Sequence, residues 1–68
     1  MNRFERKERI GYGGISRLAR ELGLSVATVS LVISDKTDIL SDTTVKRVQA
    51  AIAEKIGAPV EDVFGFAA

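Results

Sequence analysis

The chain contains no cysteine and no histidine, and only one proline, one tyrosine and three phenylalanines among 68 residues. Without cysteine there is no disulfide, and without either missing residue the usual zinc ligand sets cannot be assembled. Catalysis would have to rest on carboxylates, lysines or hydroxyls. The acidic residues are spread over helix surfaces and caps, and capping accounts for Asp42, Glu61 and Asp62. A chain this short also offers no core large enough for a substrate pocket. It reads as a non-enzyme, with no metal, no cofactor and no small-molecule ligand expected.

Long hydrophobic runs are missing too. No stretch approaches membrane-spanning length, and the charged N-terminus is not followed by the apolar segment of a signal peptide. The expectation is a cytoplasmic protein built as one small domain over residues 1–68, near the lower size limit for folding without staples. Its net charge of +1 is uninformative, but the distribution is not. Residues 1–20 carry six basic and two acidic side chains (+4), whereas residues 21–68 carry four basic and seven acidic ones (−3). A local basic patch attracts phosphates even on a nearly neutral molecule, although charge runs are often only solvated surface.

The most informative stretch is residues 15–34, ISRLARELGLSVATVSLVIS. Ile15, Leu18, Ala19 and Leu22 fall at i, i+3, i+4 and i+7, which places them on one face of a helix. Gly23 follows where the backbone must turn left-handed, Leu24 gives the turn an apolar anchor, and Ser25 suits the N-cap of a second helix. Val29 and Val32 then pack back on Ala19 and Leu22, with Ala19 small at the closest crossing. Alternation of Ala27, Val29, Leu31 and Ile33 with Thr28, Ser30 and Val32 offers a strand as a rival. A lone strand has no partner here and could not satisfy its backbone, so helix is the reading. Two short helices on a tight glycine turn make a helix-turn-helix, and a helix held proud on such a turn fits the major groove of duplex DNA.

The spacing of Ala19, Gly23, Leu24, Val29 and Val32 resembles the helix-turn-helix of the lambda repressor/Cro superfamily. The SVATVS segment is similar to the lac repressor family headpiece. The resemblance extends weakly to IAEKIGAPVEDVF. It implies an all-α fold of about five short helices, with the motif over residues 15–34 supported by a helix over 42–56. It also implies a bacterial or phage-encoded, nucleoid-associated regulator that binds double-stranded DNA, commonly as a homodimer on two half-sites.

Residues 2–10 suit a short helix capped by Asn2 and anchored by Phe4, or else a basic arm. Gly11, Tyr12, Gly13 and Gly14 read as a loop, with Tyr12 either bonded to a phosphate or half-packed over the core. No GK[ST] follows these glycines, so they are no nucleotide cradle. Ile39 and Leu40 are expected to tuck inward. Ser41 or Asp42 should cap a long helix with Val45, Val48, Ile52 and Ile56 on one stripe, closed by Gly57 and Pro59. Lys46 and Arg47 either reach phosphates or are solvated. Pro59 is expected at a first helical position, with Val60, Val63 and Phe64 closing the core. Phe66, with Phe64, is a candidate for packing against a second subunit.

Carried over from the family pattern, the base-reading positions are Val26, Ala27, Ser30 and Leu31. Phosphate contacts fall to Arg17, Arg20, Ser25, Thr28, Ser34, Lys36 and Thr37, with further N-terminal contacts from Arg3, Arg6, Lys7 and Arg9. No Arg, Gln or Asn stands among the readers, so the bidentate contacts to guanine and adenine are missing. Thymine methyls and hydroxyls remain. The leading expectation is a sequence-specific regulator, a Cro-like repressor of a phage or mobile element. The alternatives are a recombination directionality factor, an antitoxin-type DNA-binding protein, or a protein-docking module that presents Val26, Ala27 and Leu31 to a partner.

Overall fold

The computed structural model describes residues 1–65 and, among them, five helices and no strand: α1 (Arg3–Ile10), α2 (Tyr12–Leu22), α3 (Val26–Ile33), α4 (Asp42–Ile56) and α5 (Val60–Phe64). The all-α expectation holds. One cluster of buried side chains joins four of the helices: Ile15, Leu18 and Ala19 of α2, Val29, Val32 and Ile33 of α3, Val48, Ile52 and Ala53 of α4, and Val63 and Phe64 of α5. Leu18, Val29, Val32, Val48, Ile52 and Val63 are each at most 2% exposed, so the small core is well closed.

Hydrogen bonds at the helix ends explain where the elements stop. Gly23, at φ 69°, lets the Leu24 amide bond the Ala19 carbonyl at 2.9 Å and the Gly23 amide bond that of Arg20 at 3.2 Å. This paired arrangement satisfies the last carbonyls of α2 and turns the chain sharply into α3. Ser25 then accepts from the Thr28 amide at 3.1 Å, and Ser41 accepts from the Thr44 amide at 3.2 Å, so two serines start α3 and α4 by the same chemistry. Asn2 does this for α1, accepting from the Glu5 amide at 2.8 Å. Residues 3–10 are therefore a helix, not an arm.

Four expectations are corrected. Phe4 does not anchor α1: it is 70% exposed, and the buried residue of that helix is Arg6, at 3%. Two positions along a helix lie on nearly opposite sides, so burying Arg6 turns Phe4 outward. Residues 12–14 are not a loop but the first turn of α2; Gly11 alone makes the break, at φ 75° and ψ 164°, a conformation open essentially to glycine. Ile39 is 81% exposed, and only Leu40 packs against the core. Pro59 caps α5 from outside, its carbonyl accepting from Asp62 and Val63, and the helix begins at Val60.

Candidate nucleic-acid interface

The turn at Gly23 and the burial of Val29, Val32 and Ile33 determine which side of α3 faces out. Val26 is 48% exposed, Ala27 is exposed, and Ser30, Leu31 and Ser34 are half-buried along the same side. The four proposed readers thus share one accessible surface. α3 carries no charged residue, and among the described residues Arg17 and Arg20 on α2 form no ion pair.

At the start of α3, the Ser25 and Thr28 hydroxyls lie 2.9 Å apart, and Ser25 Oγ also accepts the Thr28 amide. One hydroxyl must donate to the other, which leaves a single O–H of the pair for an external acceptor. Lys36 is exposed and Thr37 half-buried, just past the end of the helix. The Lys36 amide is already committed to the Leu31 carbonyl at 2.9 Å, so that residue offers only its ammonium to a phosphate.

The basic N-terminal residues divide. Arg6 is withdrawn from the candidate contacts. Its Nε donates to the Val63 carbonyl at 2.7 Å, Nη1 donates to the Ile33 carbonyl and to Asp35 Oδ2 at 3.0 Å, and Nη2 donates to the Met1 carbonyl at 3.0 Å. Four of its five N–H groups are taken and the side chain is 3% exposed, so it is closed off from a phosphate. Arg3, Lys7 and Arg9 are exposed: Arg3 lies 5.1 Å from the Phe4 ring centroid, Lys7 lies 5.5 Å from that of Tyr12, and Arg9 pairs with Glu5 at 3.3 Å. Tyr12 itself is 81% exposed, so it is not half-packed over the core. A shallow groove brings Arg9 and Arg17 together with Lys55, which the sequence had not singled out.

Arg47, read as a phosphate contact or a solvated charge, is exposed and donates Nη2 to the Leu22 carbonyl at 3.0 Å. Asp35 was also missed. It is the one non-glycine residue with a positive φ among those described, at 60°, and it ends α3 in the way Gly23 ends α2. Its only sequence signal is that aspartate tolerates the left-handed region better than most residues. Phe64 is buried within its own subunit, its ring stacked 4.5 Å under the Arg6 guanidinium, so it is not available to a second copy. Phe66 lies outside the described residues.

The model of the family described as bacterial regulatory proteins, lacI family, matches residues 15–55. The chain belongs to the lacI family. The matched residues run from the first buried side chain of α2 through the turn and α3 to the last turn of α4, so they hold the motif and its support; α1 and α5 lie outside them. Membership makes this a helix-turn-helix DNA-binding domain of a regulatory family, acting in sequence-specific DNA binding and transcription regulation. The match corresponds to the lac repressor part of the resemblance and does not extend to a Cro-like identity. No curated protein and no solved structure gives a significant match. Among the described residues no helix is long and apolar enough to cross a membrane, and no group of three or more acidic residues stands close enough to hold a metal ion.

Proposed function

We propose that this lacI-family domain seats α3 in the major groove and represses transcription as a homodimer on two half-sites. Val26, Ala27, Ser30 and Leu31 meet base edges in this reading. Arg17, Arg20, Ser25, Thr28, Ser34, Lys36 and Thr37 hold the backbone, joined by Arg3, Lys7 and Arg9. The single observation that carries it is the family match spanning a motif whose second helix leaves those four readers accessible on one side. The readers offer methyl contacts and hydroxyls, so discrimination per base pair falls at the low end of the usual ~1–3 kcal/mol. That supports a dimer, because two weak half-sites together give a selective site. A Cro-like repressor of a phage or mobile element, acting in the bacterial cytoplasm at the nucleoid, is the finer form of the same reading.

Selection of bound duplexes from a random pool at near-physiological salt tests it. The expected product is an inverted repeat with half-sites about one helical turn apart. Bound DNA with no shared motif would replace sequence reading by backbone attraction alone. Recovery of no DNA would make the accessible side of α3 a protein-docking surface.

A further inference from the structure

Arg6 is buried at 3% exposure, while the other five arginines of the chain are all exposed. Burying a guanidinium is unfavourable unless its N–H groups are used, and an apolar side chain of similar volume often stabilises such a site at least as well. What an apolar side chain lacks is direction. The fork of Arg6 reaches two acceptors at one end of α3, the Ile33 carbonyl and the Asp35 carboxylate, and a third on α5 at the Val63 carbonyl.

α3 has particular need of directional contacts. Its sequence, VATVSLVI, is apolar on the buried side and largely apolar on the accessible side, so a small rotation exposes little that packing would resist. Its N-terminal end is registered by the Gly23 turn and the Ser25 cap. At the other end, the carbonyls of Ser30, Leu31 and Val32 are taken by the amides of Ser34, Lys36 and Asp35, which leaves Ile33 to Arg6. The residue that completes this end lies outside the matched residues 15–55, on a helix the family model does not include.

We propose that Arg6 is a positioning residue, which sets the tilt of α3 by gripping Ile33 and Asp35 and so sets how well the readers meet base edges. This rests on the DNA-reading function proposed above. A tilted α3 still carries the same charges to the same phosphates, so the inference predicts loss of discrimination rather than loss of DNA attraction.

The test compares wild type, Arg6→Met and Asp35→Asn on the duplex recovered by selection and on a scrambled duplex at one salt concentration. Each affinity is corrected for the folded fraction by circular dichroism. Arg6→Met is expected to weaken the selected duplex about tenfold and to leave the scrambled duplex within about twofold. Asp35→Asn should shift the ratio in the same direction by less, because Ile33 keeps its donor. Equal loss on both duplexes, or an unchanged ratio, would overturn the positioning role. If Arg6→Met does not fold, Asp35→Asn carries the comparison, since its side chain is 57% exposed and the change takes the charge from one arm of the grip. If wild type itself fails to distinguish the duplexes, the DNA-reading function falls. Amide exchange over residues 31–36 of Asp35→Asn then decides Arg6 alone: faster exchange confined there supports the grip, and unchanged or uniformly faster exchange refutes it.

Discussion

Arg47 on α4 donates to the carbonyl of Leu22, the last residue of α2, at 3.0 Å. Arg6 on α1 donates likewise to the carbonyl of Ile33, the last residue of α3. Each helix of the motif therefore has its final carbonyl closed by an arginine from outside the motif, where a cation also faces the negative end of the helix dipole. Arg47→Ala should lower unfolding free energy by about 0.5–1.5 kcal/mol, the range for one exposed hydrogen bond. Thermal unfolding followed by circular dichroism should show a drop of roughly 4–8 °C per kcal/mol in a domain of this size. No change in Tm would mean the bond contributes nothing in solution.

A small side chain of α2 lies in the core that α2 shares with α3. Ala19 is 2% exposed, and its carbonyl also closes the turn by accepting from Leu24. Ala19→Leu adds volume where the core has none to give and should cost about 1–3 kcal/mol. Since the added carbons would separate the two helices, affinity for a selected duplex should fall by more than unfolding explains. Titration of that duplex at a temperature where the variant is fully folded checks this.

Two glycines should respond differently to the same treatment. Gly23, at φ 69° and ψ 30°, lies in a region that asparagine also visits, so Gly23→Asn should cost less than ~1 kcal/mol. Gly11, at φ 75° and ψ 164°, lies where side chains are essentially not found, and Gly11→Asn should cost about 1–3 kcal/mol. Nothing stands within 4 Å of a Cβ at either position, so the contrast isolates backbone strain from crowding. Urea unfolding of the two variants measures it, and equal midpoints would contradict the account.

On duplex DNA the phosphate-facing and base-facing residues should separate by salt and by sequence. Arg20→Ala is expected to weaken all duplexes alike and to make the slope of log K against log salt shallower by about 0.9. Leu31→Ala should leave that slope alone and change which duplexes are preferred, because an apolar reader acts on thymine methyls. Salt titrations on selected and scrambled duplexes resolve both. A Leu31→Ala variant with unchanged preference would move the reading surface elsewhere on α3.

The motif was legible because it is local. Apolar spacing from Ile15 to Leu22, a glycine at the turn and a serine cap are interactions within a few residues, and each stands in the structure where its position in the chain puts it. Ser41 and the stripe through Val48 and Ile52 were legible for the same reason. The first helix and its Asn2 cap were legible too, but its inward side was not. With Phe4 and Ile10 as the only large apolar side chains in Arg3–Ile10, periodicity gave no firm face, and the rule that phenylalanine goes inside chose the wrong one. The glycines at 11, 13 and 14 suggested a loop by composition, yet the chain needs only Gly11 for its break before helix resumes.

The sequence by itself therefore determined the helix-turn-helix, the long support and the side of α3 that faces out, since period, caps and turns act between near neighbours. Only the tertiary structure decided which arginine is surface and which is core, that Asp35 ends α3 with a positive φ, and that Phe64 belongs to its own subunit. The burial of Arg6 depends on acceptors at Ile33 and Val63, brought beside it by folding from 27 and 57 positions away. A charge is buried where distant carbonyls converge to satisfy it, and no local pattern records where that will be.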